Sequence, residues 1–250
     1  MAEIYLASRS SRRRELLNQI GVRFETLLLR AEPRRPPDVD ETQRESESAY
    51  EYVERIAREK ASSGRRVLQA RTQLFRPVLA ADTVVVLDGE VLAKPASRDQ
   101  AAEYLLRLSG RTHEVRTVVA LAASTAPNSD LLMATSVSRV TMRLIEGEEI
   151  KRYCDSNEPM DKAGGYAIQG EGARLVDSLD GCYANITGLP LCHLYFALRR
   201  AGVVTRERPE VVCQRHFDFV CPVWRAAQRQ GRALRERGEY RSWREDVTGT

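Results

Sequence analysis

The segment Pro77–Leu87 constrains the fold more than any other, being an almost continuous apolar run interrupted only by Asp82 and Thr83. Its valines and leucines predict a strand buried on both faces rather than one with a wet side. A carboxylate inside such a strand needs a partner or a purpose, because an unpaired buried charge is strongly disfavoured. Asp82 therefore reads in two ways. It is either a strand-end carboxylate capping a turn, or a functional group that holds a metal or acts as a general base. Asp88-Gly89 follows at once and predicts a hairpin turn.

The flanking sequence supplies both helices and strands. Ile4–Ala7 reads as a short strand entering the polar turn Ser8–Arg14, then a helix carrying Leu16, Leu17 and Ile20 that stops at Gly21. Ser10 or Ser11 is placed to cap it. Val22–Leu29 reads as a second strand, and residues 31–48, Pro-rich and acidic, as a loop. A helix over about 47–63 sets Tyr52, Ile56 and Lys60 on one face. Ser97 caps a helix ending at Gly110, and His113–Ala123 with Leu131–Leu144 forms a long hairpin. Further on, the pattern predicts a helix over Glu148–Asn157 and short strands near 165–168, 173–178 and 182–187. A last helix runs from 190 to Ala201, closed by Gly202. Strands and helices around one apolar strand specify an α/β or α+β layered fold. Composition shifts after Gly202: residues 206–250 hold ten arginines, seven acids and both tryptophans, without a long apolar stripe. The expected organisation is a main domain over 1–203 and an Arg-rich helical extension over 204–250.

Composition excludes several classes. No run approaches the roughly 18 apolar residues that span a bilayer. The N-terminus lacks a basic stretch followed by an apolar one, so the cytoplasm is the expected compartment. The five cysteines (154, 182, 192, 213 and 221) form no C-x-x-C pair, which argues for buried thiols over a zinc ribbon or a disulfide framework. His113, His193 and His216 form no metal set, and Cys213, His216 and Cys221 lack a fourth ligand. A net charge of +4 with interspersed signs does not announce nucleic acid as a partner.

The kind of basic residue is more informative. Of 39 basic residues only four are lysine: Lys60, Lys94, Lys151 and Lys162. A chain that otherwise uses arginine has kept compact ammonium groups at a few places, a choice suited to phosphate oxygens whose charge shifts during a reaction. Ser8, Ser10, Arg12 and Arg13 at the strand-to-helix turn form either an anion cradle or a solvated basic helix start. The glycine-rich stretch Asp161–Gly170, with Lys162 and Gln169, is either a plain turn or a backbone able to approach a planar ring beside an amide donor and acceptor.

Taken together, LASRSSRRRELL (6–17), VDET (39–42), REKA (58–61), AADTVVVLDGEVLAKP (80–95), LSGRTHEVRT (108–117), EPMDKAGGYAIQGEGA (158–173) and YANITGLPL (183–191) resemble the Maf family of nucleotide pyrophosphatases, in the family's order and spacing. The resemblance covers about residues 3 to 201. It implies an elongated twisted mixed β-sheet flanked by helices, in two lobes with a central cleft of the Maf/ITPase kind, and often a homodimer. The DKAG-x-Y-x-IQG pattern is similar to the branch that converts dTTP and UTP to the monophosphate and pyrophosphate. The alternatives are the branch for methylated guanine or other modified nucleotides, and a nucleotide-binding regulator of septum formation. The resemblance implies Asp82 as the catalytic acid residue and Arg12, Thr83 and Gln169 as base-selecting. It implies Glu41, Lys60 and Lys94 as charged cleft residues. Mg²⁺ or Mn²⁺ would be held by Glu41 and Asp82, with Ser8, Ser10, Arg13 and Lys162 completing the substrate-binding set. Two departures stand out: Ser11 replaces the proline usual in the family, and the segment from 206 onward has no recognised counterpart.

Overall fold

The apolar run becomes the central strand of a seven-stranded mixed sheet. The computed structural model describes residues 3–30, 37–71, 73–126, 131–217 and 223–225. Most of the Arg-rich extension, Cys221 and residues 31–36 of the expected acidic loop lie outside them. Strand β1 (Ile4–Leu6) leads to helix α1 (Ser11–Gln19), β2 (Phe24–Thr26) and the long α2 (Ala49–Ala70). Then come β3 (Val78–Leu87), β4 (Glu90–Leu92), α3 (Arg98–Leu108), β5 (Thr112–Ala122) and β6 (Leu132–Met142). Helix α4 (Gly147–Asp155), three short 3₁₀ turns, β7 (Val176–Asp180), α5 (Tyr183–Ile186), α6 (Leu191–Arg200) and α7 (Pro209–Phe217) complete the chain. Strand order is β2-β1-β3-β5-β6-β7, with β4 also on β3. β1 is parallel to β2 and β3, and every other pairing is antiparallel.

Along β3 the side chains alternate between faces, as any strand requires. Val78, Ala80, Val84 and Val86 join Val53, Ala57 and Ala61 of α2 in one core cluster. On the other face Leu79 and Ala81 pack with α1 and α6, while Val85 and Leu87 pack with α3 and α4. That second face is therefore split into two cores, one on either side of Thr83. One edge of β3 is fully paired to β5, from Val78↔Ala122 to Val86↔Glu114. The other edge is shared: β1 reaches only Leu79 and β4 begins at Val85. Ala81–Val84 thus keep an open edge between two short strands, and the cleft enters there.

Several local expectations hold: Ser10 and Ser97 cap α1 and α3, and the Asp88-Gly89 turn has both residues at positive φ, 52° and 84°. Others shift. β2 covers three residues rather than eight because its partner β1 is only three residues long. Helix α2 runs on to Ala70 because Gly64, a plausible stop in sequence, is needed inside it. An added Cβ there would lie 2.7 Å from Val78 Cγ1, so the glycine allows α2 to lie close on β3. Of the strands expected near 165–168, 173–178 and 182–187, the middle one is found as β7, shifted to Val176–Asp180, whereas 3₁₀ turns occupy 163–165 and 170–175 and a helical turn spans Tyr183–Ile186.

The start of the extension is part of the packed body. Val212 and Cys213 of α7 sit in the core with Leu16, Leu17 and Ile20, and the amides of Arg206 and Glu207 both donate to the Ile20 carbonyl. Trp224 stacks on Phe196 of α6, with centroids 5.9 Å apart. Cys154, Cys182, Cys192 and Cys213 are buried. Among the described residues no helix is long and apolar enough to cross a membrane.

Replacing Gly64 by Ala should destabilise the protein by about 1–3 kcal/mol through overpacking, outweighing a helix-propensity gain of about 1 kcal/mol. Urea unfolding measures this. An equally stable variant would show that α2 does not need its close approach to β3.

Candidate active site

Asp82 and Thr83 are consecutive, so they point to opposite faces of β3, and each meets a different basic residue. On the α2 face, Lys60 Nζ lies 2.8 Å from Asp82 Oδ1 and 3.1 Å from Glu41 Oε1. Lys60 and Asp82 side chains are only 15% and 14% exposed, whereas Glu41 is 60% exposed. The Tyr52–Ile56–Lys60 stripe explains how this is built. Ile56 is wholly buried and anchors the helix, while Tyr52 and Lys60, four residues to either side, face the cleft. Tyr52 donates to the Glu41 carbonyl at 2.9 Å. Its pKa is pushed up to about 12, first by burial and then by the charges of Asp82 and Glu41, so the phenol stays a donor.

On the other face, Arg13 is bound almost entirely to the protein. Its Nε donates to the Gly188 carbonyl at 2.8 Å, and Nη1 donates to the Ala81 carbonyl at 2.7 Å and to Ser8 Oγ at 3.3 Å. Nη2 donates to Thr83 Oγ1 at 3.1 Å. Burial is the largest influence on its pKa and lowers it, with Asp82 opposing. The guanidinium thereby satisfies a carbonyl on the open edge of β3 and ties α1 to β3 and to the Gly188 carbonyl. Thr83 Oγ1 is also 2.9 Å from Thr117 Oγ1, which leads to the Asn185 carbonyl and so to a buried polar chain. Ser8 Oγ accepts from the Ser10 amide, and Ser10 Oγ caps α1 through the Arg13 amide.

The remaining expected residues line the same cleft, whose volume is about 720 Å³. Arg12 faces Asp161 across it at 3.5 Å. Lys162 Nζ is 2.6 Å from both the Glu158 carbonyl and Asp161 Oδ1, so its charge is already paired. Lys94 is exposed on the cleft wall and makes no ion pair among the described residues. Gln169 is exposed at the end of the glycine-rich segment, beside Tyr166 and Ile168. All eleven residues expected in the site from sequence therefore border one cavity, though Arg13 and Lys162 spend their donors on protein acceptors. Tyr52 and Asp161 were not expected there. The helical spacing of Tyr52 with Lys60, and the adjacency of Asp161 to Lys162, were the available signals.

Residues 3–201 match the family described as Maf-like protein. The chain belongs to the Maf family. Its curated relatives include the dTTP/UTP pyrophosphatase of Dechloromonas aromatica, 45% identical over 199 residues that span 80% of this chain and 97% of that protein. The Escherichia coli (strain K12) dTTP/UTP pyrophosphatase is 44% identical over 208 residues, 83% of this chain and 98% of that one. The Aromatoleum aromaticum protein of the same name is 48% identical over 191 residues, 76% and 91% of the two chains. Among solved structures, a HAM1 protein from Coxiella burnetii overlays with a TM-score of 0.41 at 17% identity, covering 94% of this chain and all of that one, too slight a likeness to argue from. Since the Maf match ends at 201, α7 lies beyond the matched segment and still packs on α5 and α6.

His113, on β5 behind the glycine-rich segment, is 2% exposed, and its Nε2 lies 2.6 Å from the Tyr166 hydroxyl. Burial lowers its pKa from 6.5 to about 4. Between those values the unfolded chain holds the proton and the folded one does not. Stability is therefore full above about pH 6.5, falls as pH drops through the window, and levels off below about 4. At pH 5 the loss is about 2 kcal/mol for this ring. Urea unfolding at pH 7 and pH 5 should show His113→Gln losing about 2 kcal/mol less between the two than the wild type. Equal losses would mean the ring is not the titrating group.

Proposed function

We infer that the chain is a nucleoside triphosphate pyrophosphatase that hydrolyses dTTP and UTP to the monophosphate and pyrophosphate. One observation carries this reading: a single cleft joins a paired carboxylate, Asp82, and its lysine to an amide reader, Gln169. Charge-handling groups at one place and a hydrogen-bonding edge at another suit a ligand with a polyanionic tail and a planar base. The relatives named dTTP/UTP pyrophosphatase support the same substrate class.

Two carboxylates from different elements, Glu41 and Asp82, already converge on one positive charge, the Lys60 ammonium. Among the described residues no group of three or more His, Cys, Asp or Glu side chains is arranged for a metal. A two-carboxylate oxygen set fits Mg²⁺ or Mn²⁺, which take few protein ligands and complete their shell with water and phosphate oxygens. Glu41 and Asp82 would hold such an ion, which would supply charge neutralisation at the phosphates and a lower pKa for water.

In the reaction, water forms a bond to the α-phosphorus and the bond to the β-phosphate oxygen breaks, releasing pyrophosphate. Asp82 orients the attacking water and accepts its proton. Lys60, held between the two carboxylates, and Lys94 on the cleft wall balance charge that grows on the leaving group. Arg12, from the first turn of α1, meets the phosphate tail with one face and Asp161 with the other. Arg13 holds the turn and the strand edge in place rather than gripping phosphate. Gln169 donates to a pyrimidine carbonyl and accepts from the ring imide N–H, an edge shared by thymine and uracil but altered in cytosine. Cytoplasmic action and a homodimer belong to the same reading.

Asp82→Asn should lower pyrophosphate release by about 10² or more while circular dichroism still shows a folded chain, Lys60 keeping its contact with Glu41. A variant that still turns over at the wild-type rate removes Asp82 from its role. Gln169→Ala should bring dTTP and dCTP closer in kcat/KM by about tenfold, one to two lost hydrogen bonds, with a smaller effect on the best rate. A uniform loss across nucleotides would contradict base reading.

A further inference from the structure

The segment that delivers Gln169 is fastened with unusual regularity. Tyr166 belongs to it and is buried, with its hydroxyl on His113 Nε2 of β5. The next amide, from Ala167, donates to the hydroxyl of Tyr153 on α4 at 3.2 Å. That hydroxyl donates onward to Glu158 Oε1 at 3.0 Å. The next carbonyl, of Ile168, accepts from the hydroxyl of Tyr183 on α5 at 3.1 Å. Three successive residues are thus tied to three different elements by three tyrosine hydroxyls, and the residue that follows is Gln169. Beyond it, Gly170 takes φ 67°, and the Glu171 and Gly172 amides both donate to the Glu158 carboxylate at 3.2 Å.

These ties do more than close a loop. A glutamine side chain has several rotatable bonds, and its amide presents a donor and an acceptor that can exchange places. Discrimination between base edges needs that amide held in one register, which a backbone free to shift by even an ångström does not provide. Tyr183 is the best placed of the three. It holds the carbonyl one residue before Gln169, and the Gln169 side chain also interacts with its phenol.

We propose that Tyr183 is a positioning residue for base selection: its hydroxyl fixes the Ile168–Gln169 backbone so that the Gln169 amide meets the pyrimidine edge in a single orientation. Tyr153 and the His113–Tyr166 pair fix the two residues before it in the same sense. Tyr183 touches no reacting atom. The proposal rests on the reading of Gln169 as the base reader.

The test is a set of four proteins, wild type, Tyr183→Phe, Gln169→Ala and the double variant, assayed for pyrophosphate release from dTTP, UTP and dCTP. Tyr183→Phe is expected to keep kcat for dTTP within about twofold and raise its KM about fivefold, one hydrogen bond's worth. The dTTP-to-dCTP ratio of kcat/KM should fall by a similar factor, with the melting temperature little changed. In the Gln169→Ala background the same substitution should leave that ratio where it was. An unchanged ratio in Tyr183→Phe, while Gln169→Ala lowers it, overturns the positioning role and leaves the base reader standing. An unchanged ratio in Gln169→Ala as well overturns both. If Tyr183→Phe loses its melting transition, Tyr166→Phe, which frees the same segment from β5, carries the same expectation and the same refutation.

Discussion

A carboxylate set in the middle of a buried strand has to be neutralised, and the contact of Asp82 with Lys60 governs how the rest of the molecule is arranged. Lys60 reaches Asp82 only because α2 lies low on the sheet, and α2 lies low because Ala57, Ala61 and Gly64 present almost no side chain to β3. The same ammonium takes Glu41 from the loop before α2, so one charge ties loop, helix and strand together. Breaking one side of a buried ion pair is costly, but an intact pair adds little over an apolar alternative. Its value here is therefore the geometry that it imposes on two carboxylates.

The open edge of β3 is the second organising feature. Where β1 has ended and β4 has not begun, both faces of the strand reach the cleft. An unpaired strand edge is a liability, and Arg13 answers it by donating to the Ala81 carbonyl from across the gap. A residue that in sequence suggests phosphate binding is thus mainly a fastening of α1 to β3 and to the Gly188 carbonyl.

Much of this could be read from the chain. The central strand, the two serine caps, the Asp-Gly turn and the long hairpin follow from local chemistry that the tertiary fold does not override. The gathering of Ser8, Arg12, Lys60, Asp82 and Gln169 into one cleft came from motif order rather than from spacing, since they arrive from four separate segments. The stretches on either side of β7, 163–175 and 183–187, were misread because their conformation is decided from outside. Glycines 164, 165 and 170 take positive φ, and the backbone is held by tyrosines from α4 and α5 and by Glu158, none of which shows in a strand-like pattern of side chains. The roles of Arg13 and Lys162 were equally hidden, because a sequence does not say which acceptors a cation will find at home.

That Asp82 and Thr83 are neighbours has a consequence for how such a chain can evolve. Inserting or deleting a single residue in β3 upstream of them would turn every later side chain to the opposite face. The carboxylate would then be aimed at Arg13 and the hydroxyl at Lys60, while valines and alanines changed cores. Indels in this stretch therefore strike the core and the cleft in one event, whereas the exposed Asp88-Gly89 turn can lengthen without moving either. Length variation among descendants of this gene is expected to spare the strand.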